Sequence, residues 1–105
     1  MNRHGMLIVD DERDILTTLS LTFEEEYDVF EANSGAEGLT ILEQHEIALI
    51  IADQRMPEMT GVDFLERSIA KRPHAIRIIL TGYTDTASLV RAINAGRIYR
   101  YITKP

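Results

Sequence analysis

The chain has 105 residues, a length that supports one domain with one modest hydrophobic core. Its formal charge of −6 argues against direct binding of a nucleic-acid backbone, because such binding depends on Lys and Arg. The absence of cysteine excludes disulfides, thiol catalysis and thiolate metal sites. No apolar run could span a bilayer and no signal-peptide pattern begins the chain, so a cytoplasmic protein without membrane contact is expected.

Short apolar runs alternate with helical patterns from the start of the chain. The first run, 7–9, ends at Asp10 and Asp11, and apolar residues at helical spacing follow over 15–23. One of the two aspartates is expected to cap this first helix at its N-terminus. A second short strand is predicted over 27–32.

The same alternation continues in the middle of the chain. Ser34 and Glu37 have the spacing of a capping box, in which each side chain accepts a backbone N–H. They predict a helix that ends near Gln44. The next apolar run, 47–52, ends at Asp53 and predicts the third strand.

A third helix is predicted to begin at Thr60, where the sequence again has a start signal. Its expected buried residues are Phe64, Leu65, Ile69 and Ala70. The apolar run 76–80 then ends at Thr81 and predicts a fourth strand. A fourth helix is expected to follow, with its cap at Thr84 or Asp85.

The last run, 98–102, ends at Thr103, Lys104 and Pro105. The elements alternate as β-α-β-α-β-α-β-α-β, which predicts an α/β fold with a doubly wound, five-stranded parallel sheet. Strands buried on both faces need helices on both sides. The chain ends directly after the fifth strand, so we expect a fifth helix to be missing, either by truncation or because a neighbouring chain supplies the cover.

Carboxylates follow the first and third strands, and the carboxyl ends of parallel strands converge on one crevice. Asp53 could attack a phosphoryl group and carry it as an acyl phosphate, although an aspartate that only forms a turn is the alternative. Asp10 and Asp11 would lie beside it, and three acids so close together favour a bound Mg²⁺. Capping of the first helix is the alternative role for this pair.

A hydroxyl and an ammonium follow the fourth and fifth strands. Thr81 could hydrogen-bond a phosphoryl oxygen, and Gly82 would leave room for the incoming group. A simple turn is the alternative for this Thr-Gly pair. Lys104 could pair with Asp53 and then with the phosphoryl group, or it could be an ordinary solvated charge.

These residues, in this order and spacing, resemble the motifs of response-regulator receiver domains. The matching segments are Val9-Asp10-Asp11-Glu12, Asp53 with Met56-Pro57 and Gly61, Leu80-Thr81-Gly82, and Tyr101-Ile102-Thr103-Lys104-Pro105. The resemblance covers residues 1–105 as a single receiver domain without its last helix, and it implies the flavodoxin-like strand order 2-1-3-4-5. Segments 53–57 and 96–101 look most like a branch that includes receivers of hydrogenase-gene transcriptional regulators and of some regulators with cyclic-dinucleotide phosphodiesterase domains.

The resemblance implies that Asp53 accepts a phosphoryl group from a sensor histidine kinase. The implied Mg²⁺ ligands are Asp10 through water, Asp11, Asp53 and the backbone carbonyl of Arg55. The implied phosphoryl-binding residues are Thr81, Gly82 and Lys104, and the implied switch pair is Thr81 and Tyr101. Arg55 departs from the smaller polar residues common at its position, and its side chain either partly neutralises the acids or points into solvent.

We therefore interpret the chain as a signalling switch and not as an enzyme that acts on outside substrates. An effector domain beyond Pro105, of a transcription-regulatory kind, is expected, and a homodimer is possible. One alternative is a Mg²⁺-dependent phosphohydrolase with an aspartyl nucleophile, but Arg55 occupies the position of its usual second acid. Another is a flavin-binding electron carrier, whose phosphate would be repelled by Asp10, Asp11 and Glu12.

Overall fold

Within residues 3–82 and the backbone of residues 100–103, which the computed structural model describes, β-strands form one parallel sheet. The strands are β1 (Gly5–Val9), β2 (Asp28–Ala32), β3 (Leu49–Asp53), β4 (Ile76–Thr81) and β5 (Arg100–Thr103), and the helices are α1 (Arg13–Phe23), α2 (Gly35–Gln44) and α3 (Gly61–Lys71). Neighbouring strands follow the order β2-β1-β3-β4, with β5 paired to β4. The predicted α/β fold with a parallel sheet is confirmed.

Helices pack against both faces of this sheet, as the apolar runs predicted. Leu7 and Val9 of β1 belong to a core cluster that includes Leu42 of α2 and Phe64 of α3. The alternate residues of β1 belong to a second cluster on the opposite face, together with Leu16 of α1. Since successive side chains of a strand point to opposite faces, β1 is buried on both sides.

The start of α1 corrects one prediction. Its N-cap is Glu12, whose side chain makes no capping hydrogen bond, so neither Asp10 nor Asp11 holds the cap position. Instead, Oδ1 of Asp10 accepts a hydrogen bond from the backbone N–H of Glu12, at 2.9 Å. Asp10 is still buried at the end of β1, and α1 begins only at Arg13. Two residues therefore connect Asp10 to the first helical turn.

The start signals of α2 and α3 are confirmed. Oγ of Ser34 accepts a hydrogen bond from the N–H of Glu37, at 3.1 Å. The Glu37 carboxylate reaches back to the N–H of Asn33, one residue before the usual partner in a capping box. Oγ1 of Thr60 accepts a hydrogen bond from the N–H of Asp63, at 3.2 Å. These bonds satisfy backbone donors that would have no partner within the helix.

The buried face of α3 is only partly as predicted. Phe64 and Leu65 are fully buried, but Ala70 is exposed and the prediction for it is wrong. Ser68 is buried instead of Ala70. It lies four residues after Phe64 and three after Leu65, so it shares their face of the helix. Its hydroxyl donates to the carbonyl of Leu65 and accepts a hydrogen bond from Nε of Arg77, a buried residue of β4.

The predicted fourth helix, with its cap at Thr84 or Asp85, falls outside the described residues. Among the helices that the structure does describe, none combines the length and the apolar character needed to cross a membrane.

The loop between β3 and α3 contains a residue in a left-handed conformation, Glu58, with φ of 70°. A left-handed conformation destabilises a non-glycine residue by about 1–2 kcal/mol. Glycine avoids this steric cost, but it loses about 0.5–1 kcal/mol more than other residues in backbone entropy on folding. We expect Glu58→Gly to raise the free energy of unfolding by about 0.5 kcal/mol, measured by urea titration. Arg67→Gly, at an exposed position inside α3, should lower it by about 1 kcal/mol. Equal losses from the two glycine substitutions would contradict the assigned strain.

Candidate functional site

Three buried polar side chains lie at the carboxyl ends of adjacent strands. Asp10 follows β1, Asp53 ends β3 and Thr81 ends β4. Their exposed fractions are 0%, 3% and 1%, respectively. Because β3 lies between β1 and β4 in a parallel sheet, all three side chains occur at one edge, where such sheets bind ligands.

Asp10, Asp11 and Asp53 form a compact acidic group. Each offers a carboxylate oxygen, and these oxygens all lie within 4.8 Å of one another. Asp11 is exposed to solvent, whereas the other two are buried. Like charges at this separation repel strongly away from water, and a divalent cation with oxygen ligands relieves the repulsion. The group therefore has the donor chemistry, spacing and solvent access that suit Mg²⁺.

The backbone around Asp53 is held by Gln54, a residue that the sequence did not single out. Its N–H donates to the carbonyl of Leu80 at 2.9 Å, which ties the end of β3 to β4. Its carbonyl accepts from the N–H of Gly61 at 3.1 Å, and its side-chain oxygen accepts from the N–H of Val62 at 2.9 Å. Gln54 thus closes the loop after Asp53 onto the start of α3, and no sequence pattern marks this role.

Gly61 approaches the backbone of Asp53 more closely than any other residue type could. A Cβ atom at Gly61 would lie 2.4 Å from the carbonyl oxygen of Asp53 and 2.9 Å from Cδ1 of Ile79. Backbone atoms cannot yield as a flexible side chain can. The absence of a side chain at Gly61 therefore lets α3 begin directly beside Asp53.

Thr81 directs its hydroxyl to the carbonyl oxygen of Gly82, at 2.9 Å. Apart from Gly82 and its two chain neighbours, no atom of the described residues lies within 4 Å of the position that a Cβ at Gly82 would take. The predicted role of Gly82, to leave room for an incoming group beside Thr81, stays a prediction, because residues 83–99 lie outside the described part of the chain.

The remaining predicted site residues are described only in part. Arg55 lies in the loop after Asp53 with an exposed side chain. The backbone of Tyr101 lies in β5, where it pairs with Ile79, while its side chain and the whole of Lys104 fall outside the described residues.

A parallel α/β sheet with an acidic group at the carboxyl ends of its strands is the arrangement that the resemblance to receiver domains led us to expect. The family model described as the response regulator receiver domain matches residues 6–105 of this chain. The chain belongs to the response-regulator receiver family.

Similar proteins and solved structures agree with membership of the receiver family. The hydrogenase transcriptional regulatory protein HoxA of Cupriavidus necator is 38% identical over 100 residues, which cover 95% of this chain and 21% of HoxA. A CheY-like receiver domain from Methanospirillum hungatei superposes with a TM-score of 0.89 at 35% identity, over 99% of this chain and 83% of that structure. The chain thus spans about a fifth of the length of HoxA.

One further solved structure bears on the chemistry of the family. It is a response regulator from Burkholderia pseudomallei described with a phosphorylated aspartic acid, a calcium ion and citrate. It superposes on this chain with a TM-score of 0.87 at 26% identity, over 97% of this chain and 60% of that structure.

Proposed function

We propose that this chain is a phosphorylation-controlled switch in which the carboxylate of Asp53 accepts the phosphoryl group. The proposal rests on one observation. Asp53 is a buried carboxylate at the carboxyl end of the central strand, with an oxygen within 4.8 Å of oxygens of Asp10 and Asp11. A lone turn-forming aspartate would not need two further acids beside it.

The transfer itself needs only a nucleophile and a donor with a good leaving group. An Asp53 oxygen bonds to the phosphorus of a phosphohistidine in a sensor kinase while the P–N bond breaks, and the imidazole leaves with the electron pair and takes up a proton. With acetyl phosphate as donor, acetate leaves instead.

The acidic group would hold Mg²⁺ through Asp11, Asp53 and the backbone carbonyl of Arg55, with Asp10 acting through a water molecule. When bound, the cation neutralises charge on the phosphoryl oxygens during transfer. The Burkholderia relative, described with a phosphorylated aspartic acid and a calcium ion, supports a divalent cation beside the modified residue.

The switch would operate through the residues beyond Asp53. The Thr81 hydroxyl, which now donates to the Gly82 carbonyl, would turn to a phosphoryl oxygen, and Lys104 would pair with the new dianion. Tyr101 would then move inward to follow Thr81. A local change of charge is thereby converted into a change of packing at the output surface.

This role places the chain between two partners. A sensor histidine kinase would supply the phosphoryl group, and an effector domain beyond Pro105, of the transcription-regulatory kind suggested by HoxA, would receive the signal. The site would act in the cytoplasm and catalyse nothing on outside substrates. A further helix or a second copy in a homodimer would complete the cover on the α1 face, where Ile78 and Leu80 are only partly buried.

Incubation with acetyl phosphate and Mg²⁺, followed by intact-mass measurement, tests the phosphoacceptor. The unmodified chain should gain the mass of one phosphoryl group, and Asp53→Asn should gain none. The matched control is Asp63→Asn, which removes an exposed carboxylate from the first turn of α3 and should leave the gain unchanged. A full gain in Asp53→Asn, or no gain in the unmodified chain, would overturn the proposal.

A further inference from the structure

A cleft of about 520 Å³ lies at the edge of the sheet opposite the acidic group. It is formed where β1, β3 and β4 begin, by residues 3–5, 46–48 and 71–75. We refer to these three segments as the amino-edge cleft. Since each of these strands has only five or six residues at about 3.3 Å per residue, the cleft lies roughly 16–20 Å from the carboxyl edge. The two sites therefore share strands but no residues.

The charge of the amino-edge cleft is opposite to that of the whole chain. Its ionisable lining residues are Arg3, His4, Glu46, Lys71, Arg72 and His74. With both histidines neutral they carry a formal charge of +2, whereas the whole chain carries −6. The ammonium of Lys71 also contacts the carboxylate of Glu43, at 2.5 Å, and counting this neighbour reduces the formal charge from +2 to +1. An acidic chain that gathers cations around a cleft has a surface suited to an anion.

The two arginines that line the cleft are held in place by backbone carbonyls. The guanidinium of Arg72 donates to the carbonyl of His45, at 3.0 and 3.3 Å, and to the carbonyl of Lys71, at 3.2 Å. A guanidinium has five N–H donors, so Arg72 is fixed in position and still has donors for a ligand. Arg3 is held in the same way by the carbonyl of Glu24, at 2.6 Å.

Arg77 supports the loop that forms one wall of the cleft. This residue is 3% exposed, and its guanidinium donates to the carbonyl of Ala75, at 2.7 Å, and to the carbonyl of Arg72. Both acceptors belong to the segment 71–75 that lines the cleft. The buried guanidinium thus fixes the backbone of that wall.

We propose that the amino-edge cleft binds a small organic phosphate. Its dianionic group would lie between Arg3, Lys71 and Arg72, which offer charge-assisted hydrogen bonds, and its organic part would lie against Ile47 and Ala75. The volume falls in the range of about 300–1,000 Å³ that is usual for small-molecule sites. The inference does not depend on phosphorylation of Asp53.

Titration of the full 105-residue chain with AMP, followed by ¹H–¹⁵N NMR, tests this proposal. Saturable shifts are expected for the backbone amides of residues 3–5, 46–48, 71–72 and 74–75, and Asp53→Asn should bind AMP as well as the unmodified chain. Adenosine, which lacks the phosphate, should cause no saturable shift. Equal binding of adenosine, shifts confined to the acidic group, or no saturable shift with AMP at millimolar concentration would each overturn the proposal.

Charge removal in the cleft provides the matched comparison. Arg3→Gln and Lys71→Gln should each weaken AMP binding by about tenfold, because each removes a charge-assisted hydrogen bond. Arg67→Gln removes an exposed cation of α3 that does not line the cleft, and it should leave the affinity unchanged. Thermal unfolding of each variant establishes that it is folded. Equal affinities in all three folded variants would contradict the assigned role of the cleft cations.

Discussion

Replacement of Gly61 by alanine should lower the free energy of unfolding by about 2–3 kcal/mol, as expected for an added carbon in a packed region. The new Cβ would lie 2.4 Å from the carbonyl oxygen of Asp53 and 2.9 Å from Ile79 Cδ1. Ile79 can change its rotamer, but the carbonyl belongs to the central strand and cannot move without displacing β3. Urea unfolding followed by circular dichroism measures the loss.

Gly82→Ala is the control, because a Cβ there meets no atom of the described residues within 4 Å. It should change the unfolding free energy by less than about 1 kcal/mol. Gly61→Ala should also slow phosphorylation by acetyl phosphate, since relief of the clash moves Asp53 away from its neighbouring acids. Similar stabilities for the two alanine variants would show that α3 tolerates a shift, contrary to the close approach described.

Magnesium should stabilise the chain, and Asp11→Asn should remove much of that stabilisation. A ligand that binds only the folded state contributes about 2.7 kcal/mol at a concentration 100 times its Kd. Loss of one carboxylate from the group of three should weaken Mg²⁺ binding at least about tenfold, which reduces the contribution to about 1.4 kcal/mol or less at the same concentration. Thermal unfolding with and without Mg²⁺ measures both values.

Without Mg²⁺, Asp11→Asn should change the stability of the chain in the opposite direction. Asp11→Asn removes one of three mutually repelling carboxylates, so it should be more stable than the unmodified chain in the presence of EDTA. Asp14→Asn, an exposed acid in the first turn of α1, is the control and should retain the full response to Mg²⁺. An equal loss of Mg²⁺-dependent stabilisation in both variants would show that overall negative charge, and not the group of three acids, is responsible for it.

The sequence was sufficient to predict which polar residues meet at the carboxyl ends of the strands. Asp10, Asp53 and Thr81 each end an apolar run, and the topology of a parallel sheet brings such ends together without any knowledge of side-chain contacts. The capping residue Ser34 was predictable for a related reason, because its partner lies only three residues away. Features set by local spacing or by strand ends are therefore visible in the sequence.

Features set by the pairing of distant segments were not predictable. The role of Gln54 depends on the register that places Leu80 beside Asp53, and that register is known only from the folded chain. Arg77 was counted within an apolar run, but the structure buries its guanidinium against carbonyls of another loop. Ala70 was assigned to the buried face of α3 together with other apolar residues, but the buried stripe of this helix passes through Ser68 instead.

Gly61 and Gly82, which both lie near the carboxyl ends of the strands, differ in how closely other atoms approach them. On the α3 side, Gly61 packs closely against the carbonyl of Asp53. The start of α3 therefore resists movement of the Asp53 backbone in its direction. On the β4 side, the space beside Gly82 offers no comparable resistance within the described residues. A displacement of the Asp53 backbone toward α3 would accordingly be opposed by the start of that helix at Gly61.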